Sequence, residues 1–286
     1  MDIKNLGKIY IIHYDKLKER RAYLENRLNE LGLGKYAEWV LSTDDGFTKK
    51  ELSLHNGSEG ALIERSRVLK EKMPSVGKID VIMVLHHIRI FKKIAKDKDN
   101  KVSMVLEDDV ILSDDFPGKL EETVEKLGRI SWDICYSDKG SFLIEPKVKR
   151  DKKGKITLYK HPEKRSNTTG SYLVTPRSAE KIAKLLEGFA VAMDVEMSYI
   201  QKKNDLRVFW TIPFLTKQGS IECTYKSNVR QGSLMGLVLK FLKKVDRVSP
   251  LASRILARTL ESLKTAAYKS KLMMFLKDKL KKLLGL

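Results

Sequence analysis

The stretch Val102-Ser-Met-Val-Leu106 runs directly into Glu107-Asp108-Asp109, and this junction indicates more about the fold than any other part of the chain. Four of the five residues before the acids are apolar and two are β-branched, which is typical of a buried strand. Three consecutive carboxylates then follow at the C-terminal end of that strand. Because ligands of open α/β sheets bind in the crevice beyond the carboxyl ends of the strands, we expect a functional site here.

Three adjacent carboxylates are costly to keep ionised, because each one raises the pKa of its neighbours. A hard divalent cation removes this conflict, since carboxylate oxygens suit Mg²⁺ or Mn²⁺ and the bound metal can in turn hold a diphosphate. A solvated acidic turn would carry the same residues, so the triplet alone leaves both interpretations open. The buried strand in front of it makes Glu107, Asp108 and Asp109 candidate metal ligands.

Strand-like and helix-like segments alternate along most of the chain. The predicted strands are residues 9–13, 39–42, 102–106, 132–136, 170–175 and 207–212. The predicted helices are residues 15–31, 81–94 and 116–127, one that begins at Pro176, and 193–201. A loop-rich excursion is predicted over residues 47–78 and a charged hairpin over residues 146–161. Alternation of this kind predicts a three-layer α/β/α domain with a mainly parallel sheet.

The chain carries a net charge of +19, and this charge is unevenly distributed. Residues 230–286 contain 14 Lys and Arg against three acidic residues, which gives this segment +11 of the total. Within it, residues 251–263 and 272–284 place apolar side chains at helical spacing among the basic ones. We expect one domain over residues 1–230, followed by a basic amphipathic helical tail over residues 231–286.

A basic amphipathic helix suits the headgroup region of an anionic membrane, where each basic residue adds about 1 kcal/mol of attraction. The same pattern is compatible with helices that dock on the protein's own core. Nucleic acid is the least favoured partner, because the tail offers few aromatic side chains that would stack on bases. The sequence therefore predicts peripheral association with an anionic membrane surface through the C-terminal helices.

The sequence also indicates in which cellular compartment the protein is expected. It contains no apolar run of eighteen or more residues and no signal-peptide pattern near Met1. Cys135 and Cys223 lack metal-site spacing, and two such cysteines fit reduced thiols better than a disulfide. We therefore expect a cytoplasmic protein that is peripheral on the cytoplasmic face of the membrane.

Three further motifs accompany the acidic strand. They are Ile11-Ile-His-Tyr-Asp-Lys-Leu-Lys-Glu-Arg-Arg21, Leu85-His-His-Ile-Arg-Ile-Phe-Lys-Lys93 and Thr169-Gly-Ser-Tyr-Leu-Val-Thr175. With these motifs in this order, the chain resembles glycosyltransferase family 25, the sugar transferases of bacterial lipopolysaccharide and lipooligosaccharide. The resemblance runs from about Ile9 to Ser220 and is strongest over residues 85–116.

The resemblance implies a GT-A (Rossmann-like) fold, a UDP-sugar donor that is often UDP-galactose, and Mn²⁺ or Mg²⁺ at the acidic motif. Residues 107–109 match that motif. Four further matches imply donor-binding residues, namely Arg20, Asp45, His87 and Gln218. The chain departs from the family pattern at Ile79-Asp-Val-Ile-Met83 and at His86, where the family carries a glycine-containing stretch and a serine.

An inverting sugar transfer needs a carboxylate that takes the proton of the acceptor hydroxyl. The pair Met193-Asp194 falls where the family carries a similar pair, so Asp194 is the first candidate for this base and Glu196 is the second. The two acids point in different directions on a helix, so only one of them is expected to reach the site. Acids near a helix N-terminus are also favoured by the helix dipole alone, and that interpretation stays open for both.

Arg20 and Asp45 are expected to contact the donor in different ways. The guanidinium of Arg20 is a candidate partner for the diphosphate, because it pairs with phosphate in a bidentate manner. Asp45 is a candidate acceptor for a hydroxyl of the ribose or a group of the uridine. An exposed helix arginine and an ordinary turn aspartate would carry the same sequence signal.

The sequence thus predicts a metal-dependent, inverting hexosyltransferase. It would transfer a sugar, with galactose as the first candidate, from a UDP-sugar to a lipooligosaccharide or another glycan or lipid-linked acceptor. The alternative is a non-catalytic membrane-peripheral or nucleic-acid-binding protein on a degenerate GT-A scaffold. A nucleotidyltransferase is a third interpretation, but residues 13–18 contain no glycine for the phosphate loop that such enzymes carry near the first strand.

Overall fold

The fold is known from a computed structural model, which describes residues 2–42, 46–73, 76–99, 101–139, 154–162, 164 and 168–219. Two predicted features, Asp45 and the tail over residues 231–286, lie outside these residues. No helix in the described part of the chain is long and apolar enough to cross a membrane.

A mixed sheet forms the centre of the described residues. The strands are β1 (Leu6–Tyr14), β2 (Ala37–Ser42), β3 (Val102–Glu107), β4 (Val110–Leu112), β5 (Ile134–Tyr136), β6 (Asp138–Lys139), β7 (Thr157–Lys160), β8 (Ser171–Val174), β9 (Val208–Ile212) and β10 (Thr216–Gln218). Seven of them form one sheet in the order β2-β1-β3-β8-β5-β9-β7, and β4, β10 and β6 form a second, small sheet.

The direction of the strands corrects the expectation of a mainly parallel sheet. β2, β1, β3, β5 and β9 share one direction, but β8 lies between β3 and β5 and is antiparallel to both. β7 is antiparallel to β9 at the far edge. All four residues of β8 are buried. A strand buried on both faces is a continuous apolar run in either direction, so its sequence does not reveal which way it runs.

Helices cover both faces of the large sheet. Their bounds are α1 (Lys18–Glu30), α2 (Lys49–Leu52), α3 (Glu59–Leu69), α4 (Lys78–Ile94), α5 (Phe116–Leu127), α6 (Pro176–Leu185) and α7 (Met193–Lys203). α1 and α5 bury Leu24 and Phe116 in one apolar core with Ile9 and Ile11 of β1. On the other face, α4 contacts α6 and α7 and packs Phe91 against Tyr172 of β8, with ring centroids 5.6 Å apart. The expected α/β/α layering and a Rossmann-like α/β fold are confirmed.

Residues 47–78 are more regular than the loop-rich excursion that was expected. The hydroxyl of Thr48 accepts a hydrogen bond from the N–H of Glu51 and caps α2, and Ser58 caps α3 through the N–H of Ala61. Hydroxyl caps of this kind satisfy amide groups that the first turn of a helix leaves free. Gly60 suggested a loop, but it lies in the first turn of α3 and does not interrupt the helix.

The charged hairpin predicted over residues 146–161 is described only in its second half. There, β7 forms the edge of the large sheet beside β9. The predicted tip at Lys152-Lys153 lies outside the described residues.

Candidate functional site

The carboxyl ends of β1, β3 and β5 meet at one edge of the sheet, and β8 begins at the same edge. Leu106 of β3 pairs with Ser171 at the start of β8, and Tyr136 at the end of β5 pairs with Tyr172. The acidic motif 107–109, the segment after β5 and the turn before β8 therefore come together. The functional site predicted from the sequence lies at this edge.

The small sheet places the segments that follow these strands. β4 comes directly after the acidic motif and pairs with β10, so that Val110 lies opposite Gln218. β10 pairs in turn with β6, which places Thr216 opposite Asp138. Three segments distant in sequence are thus held together by backbone hydrogen bonds beside the acidic motif.

Glu107 is held from three sides. Its Oε1 accepts a hydrogen bond from the hydroxyl of Thr169 at 3.0 Å, and Nε2 of Gln218 lies 3.5 Å from its Oε2. Nε2 of His87 lies 3.9 Å from Oε1, and the N–H of Glu107 donates to the carbonyl of Gly170 at 2.8 Å. The side chain remains 22% exposed, so the carboxylate is fixed in place and still reachable by a ligand.

Two acids at this edge hold their protons unusually tightly. Burial, together with the charges of Asp109 and Asp138, raises the pKa of Glu107 to about 8. Burial, opposed by the hydrogen bond from Thr168 and assisted by the charge of Asp109, raises the pKa of Asp138 to about 7. The sheet edge therefore carries more carboxylate than the neighbouring side chains neutralise.

Asp108 is engaged by the first strand and the first helix. Its Oδ1 accepts a hydrogen bond from Nη1 of Arg20 at 2.8 Å. Its Oδ2 accepts from the N–H of Tyr14 at 3.2 Å and lies 2.8 Å from Nδ1 of His13. Both oxygens of Asp108 therefore contact groups of the chain, and its role as a metal ligand stays a prediction. Asp108 also fixes Arg20 at the edge of the site.

His87 lies fully buried beside Glu107. Its Nδ1 is 2.8 Å from the hydroxyl of Tyr172, and its ring is tilted against the tyrosine ring. Burial, and to a lesser degree the charge of His86, lower the pKa of His87 to about 3, so the ring is neutral at physiological pH. Because the imidazole is neutral, it does not neutralise a charge on Glu107. His87 therefore supports Glu107 only by packing beside it.

Gly170 permits the close approach of the turn before β8 to Asp138 and Gln218. A Cβ atom on Gly170 would lie 2.3 Å from Nε2 of Gln218 and 2.8 Å from Oδ2 of Asp138. The hydroxyl of Thr168 donates to the carboxylate of Asp138 and accepts from the N–H of Gly170 at 3.2 Å. Because Gly170 has no side chain, Gln218 and Asp138 can both lie close to its backbone. In this position, Gln218 also contacts Glu107.

Asp194 lies in the first turn of α7. α7 contacts α3 and α4. Asp194 is half-buried, and its Oδ1 accepts a hydrogen bond from the N–H of Val195 at 2.8 Å. Its role as a base stays a prediction.

Glu196, the second candidate base, is fully buried. Its two oxygens accept hydrogen bonds from Nε and Nη2 of Arg65 at 2.8 and 2.6 Å. The N–H groups of Ala190 and Val191 donate to it as well, at 3.0 and 3.3 Å. Four N–H groups donate to this carboxylate and two of them belong to the Arg65 cation, so Glu196 is engaged in a fully buried ion pair away from solvent. This buried ion pair instead joins α3 to the start of α7.

The sequence analysis missed Asp138. A signal was present, because Asp138 follows the predicted strand 132–136 by two residues, just as the acidic triplet follows the strand 102–106. A single aspartate after a strand is common, and only the structure shows that this one meets the triplet. The predicted contact of Asp45 cannot be placed, since that residue lies outside the described ones.

The divalent cation that the sequence predicts at this edge stays a prediction. Among the described residues, no three His, Cys, Asp or Glu side chains are arranged to hold a metal on their own. Mg²⁺, however, is usually held by one or two carboxylates together with substrate phosphates. Asp109, which is 5% exposed, and Glu107 offer such oxygens, and their surplus negative charge calls for a cation.

A Rossmann-like sheet with an acidic edge and an anchored arginine is the architecture of a protein that binds a phosphorylated ligand beyond the ends of its strands. A sequence model of glycosyltransferase family 25, described as LPS biosynthesis protein, matches residues 7–197. The chain therefore belongs to glycosyltransferase family 25, as its motifs indicated, and it is a glycosyltransferase. No curated protein matches the chain.

The raised pKa of Glu107 predicts a pH dependence of stability. The folded-state value of about 8 lies above the ordinary 4.5, so the folded protein binds this proton more tightly and loses stability as the pH rises through that interval. His86 and His87, whose pKa values are lowered to about 4 and 3, no longer titrate above pH 7. Without divalent cations, we expect the melting temperature to fall more between about pH 7 and 9 in the wild type than in Glu107→Gln. An equal fall in melting temperature with pH in the wild type and in Glu107→Gln would contradict the raised pKa of Glu107.

The close approach at Gly170 predicts the effect of adding one methyl group. Gly170→Ala would push Gln218 and Asp138 apart, and overpacking of this kind costs about 1–3 kcal/mol. Gly118→Ala is the matched control, because Gly118 is an exposed position of α5 where a Cβ meets nothing within 4 Å, and the same change should stabilise by about 0.5–1 kcal/mol. Denaturant unfolding measures both. A Gly170→Ala protein as stable as the wild type would contradict the described packing.

The buried ion pair between Arg65 and Glu196 predicts a larger loss of stability when it is broken. Arg65→Met leaves the carboxylate of Glu196 buried without its cation, which costs about 3–5 kcal/mol. Lys203→Met breaks a half-exposed pair with Glu64 between the same two helices and should cost less than about 1 kcal/mol. Chemical denaturation of the two variants compares them directly. Similar losses of unfolding free energy in both variants would show that burial does not determine how much these ion pairs stabilise the protein.

Proposed function

We propose that this glycosyltransferase is an inverting hexosyltransferase of the GT-A type that uses a UDP-sugar, with galactose as the first candidate sugar. Its acceptor would be a lipooligosaccharide or another glycan or lipid-linked molecule. The observation that supports this most is the position of the acidic motif at the carboxyl ends of the strands, where Thr169 and Gln218 hold Glu107 and its side chain stays 22% exposed. A divalent cation that arrives with a nucleoside diphosphate would bind at this edge.

Glu107 and Asp109 are the residues that would hold Mn²⁺ or Mg²⁺ together with oxygens of the diphosphate. A cation in this place neutralises the charge that develops on the leaving diphosphate. Thr169, Gln218 and His87 hold Glu107 in position before the donor binds. Groups that are fixed in advance do not need to reorganise during the transfer, which is the main source of electrostatic catalysis.

Arg20 would lie beside the same diphosphate. Asp108 holds its guanidinium at 2.8 Å, and His13 and the N–H of Tyr14 hold Asp108 in turn. The side chain of Arg20 is 12% exposed, so its position is set by the protein rather than by solvent. A guanidinium fixed in this way pairs with phosphate oxygens at a low cost in side-chain entropy.

Asp194 would take the proton of the acceptor hydroxyl as the hydroxyl oxygen attacks the anomeric carbon. The bond from that carbon to the diphosphate oxygen then breaks on the opposite face of the sugar, which inverts the configuration. The support for Asp194 is its half-buried place in the first turn of α7, at the Met-Asp pair that matches the family pattern. Glu196 does not share the step, because it is committed to Arg65.

The donor site is tested by Asp109→Asn. Loss of this charge should lower the rate of sugar transfer from the preferred UDP-sugar by about 10²–10³-fold, because several kcal/mol of charge stabilisation are lost. Asp114→Asn changes an almost fully exposed acid five residues away and should leave the rate unchanged. Radiolabelled sugar transfer to a panel of glycan and lipid-linked acceptors measures both. Wild-type activity of Asp109→Asn at saturating Mn²⁺ would contradict the assignment.

We also propose that residues 231–286 hold the enzyme beside a membrane-embedded acceptor on the cytoplasmic face. The support is the charge of +11 over residues 230–286 and the helical spacing of apolar residues within that segment. Truncation after Gln231 should release the protein from anionic vesicles, while the full chain co-sediments with them and not with neutral vesicles. Unchanged co-sedimentation of the truncated chain would refute the membrane role of the tail.

A further inference from the structure

The segment that leads from β2 into α2 is fixed on α4 by one arginine. Nε and Nη2 of Arg89 donate hydrogen bonds to the two oxygens of Glu51 at 2.5 and 2.9 Å, and Nη2 also donates to the carbonyl of Gly46. A bidentate pair of this kind fixes the plane of the guanidinium group. Residues 46–51 are therefore held on α4 by the chain itself.

Phe47 is oriented by the same arginine. The guanidinium carbon of Arg89 lies 4.0 Å from the centroid of the Phe47 ring. The ring of His86 meets the Phe47 ring edge-on, with centroids 4.8 Å apart and planes at 67°. Phe47 is half-buried. The chain thus holds an aromatic ring in a set orientation at a position that is still reachable from solvent.

His86 indicates a ligand beside this ring. It is 1% exposed, and neither of its ring nitrogens has a hydrogen-bond partner among the described residues. A neutral imidazole carries one donor and one acceptor, and leaving both unpaired in a protein interior is costly. Because the family pattern carries a serine at this position, the ring contact between His86 and Phe47 is a feature of this chain.

α4 relates Phe47 to the acidic motif. His86 meets Phe47, and the next residue, His87, places its Nε2 3.9 Å from Oε1 of Glu107. Consecutive side chains of an α-helix diverge by about 100°, since one turn contains 3.6 residues. Phe47 and Glu107 therefore lie on adjacent sides of the same turn of α4.

The sheet gives the same relation. Ser42 at the end of β2 pairs with Tyr14 at the end of β1, and the N–H of Tyr14 donates to the carboxylate of Asp108. Asp108 in turn holds Arg20. Phe47, five residues after Ser42, therefore follows the carboxyl end of the strand next to the one that anchors this arginine. Ligands of open α/β sheets bind beyond these ends.

We propose that Phe47 is the platform on which the base of the nucleotide donor stacks. The inference rests on the proposed function and deepens it, because a nucleoside diphosphate carries its charge at one end and a planar base at the other. With the diphosphate beside Glu107 and Arg20, the base would extend toward the end of β2. The competing explanation is structural: Phe47 would serve only to cover His86.

Phe47→Leu separates the two explanations, because it keeps an apolar side chain but removes the aromatic face. In calorimetric titrations with Mn²⁺, it should weaken UDP binding by about 10-fold or more, since base stacking is lost. Inorganic pyrophosphate, which has no base, should bind within about threefold of the wild type. Phe47→Tyr keeps the ring and should bind UDP within about threefold. Equal losses for UDP and pyrophosphate, or wild-type UDP affinity in Phe47→Leu, would overturn the proposal.

Tyr159→Leu is the matched control. Tyr159 is also half-buried and also meets a histidine edge-on, with the ring centroids of Tyr159 and His161 6.0 Å apart. It lies on β7, at the other end of the strand order from β2. UDP should bind to this variant as it binds to the wild type. A loss of UDP affinity as large as that of Phe47→Leu would show that the effect is not specific to Phe47 and would also overturn the proposal.

A second measurement uses the wild-type protein and does not require any variant to fold. A base stacked on an aromatic ring experiences the ring current, so the NMR resonances of uracil H5 and H6 should move upfield when UDP binds with Mg²⁺. Bound UDP without this shift would refute the role of Phe47 and leave the donor site intact. Wild-type protein that binds neither UDP nor pyrophosphate would overturn the proposed donor site together with this inference.

Discussion

The rest of the structure depends on the repulsion among carboxylates at one edge of the sheet. Neighbouring carboxylates raise one another's pKa, and because a domain is typically stabilised by only about 5–15 kcal/mol, such repulsion is a substantial cost. The chain relieves this repulsion in part by pairing Asp108 with Arg20 and His13. Glu107 and Asp138 stay uncompensated and have raised pKa values. These two acids therefore bind their protons unusually tightly.

The surrounding fold holds these acids in place against their repulsion. The reversed strand β8 brings the turn with Gly170 up against β3 and β5, and the small sheet fixes Gln218 and Asp138 beside the motif. On the far side of the large sheet, α4 supplies His87 as a neutral neighbour of Glu107. The site thus combines backbone pairing from two sheets, one glycine contact and one buried histidine.

Much of the fold and part of the candidate site could be predicted from the sequence. The other features depend on contacts between distant parts of the chain. The strand before Glu107, the helix over residues 116–127 and the family all follow from local patterns, and the structure and the family match bear them out. The direction of β8 and the pairing of Asp108 with Arg20 depend on long-range contacts that no local pattern records. Asp138 was missed for the same reason, since its meaning comes from β10 and Gly170 and not from its own neighbours in sequence. The ion pair of Glu196 likewise depends on a residue distant in sequence, since its partner Arg65 lies 131 residues away.

The central claim is that the acidic edge binds a cation and a nucleoside diphosphate together, with neither bound tightly alone. Titration of Mn²⁺, followed by the electron paramagnetic resonance signal of the free ion, tests this claim most directly when it is carried out with and without UDP. The account predicts weak Mn²⁺ binding to the protein alone and binding at least about 10-fold tighter in the presence of UDP, beyond what UDP binds in buffer. Equal Mn²⁺ affinity with and without UDP, or equal UDP affinity in Mn²⁺ and in EDTA, would contradict it.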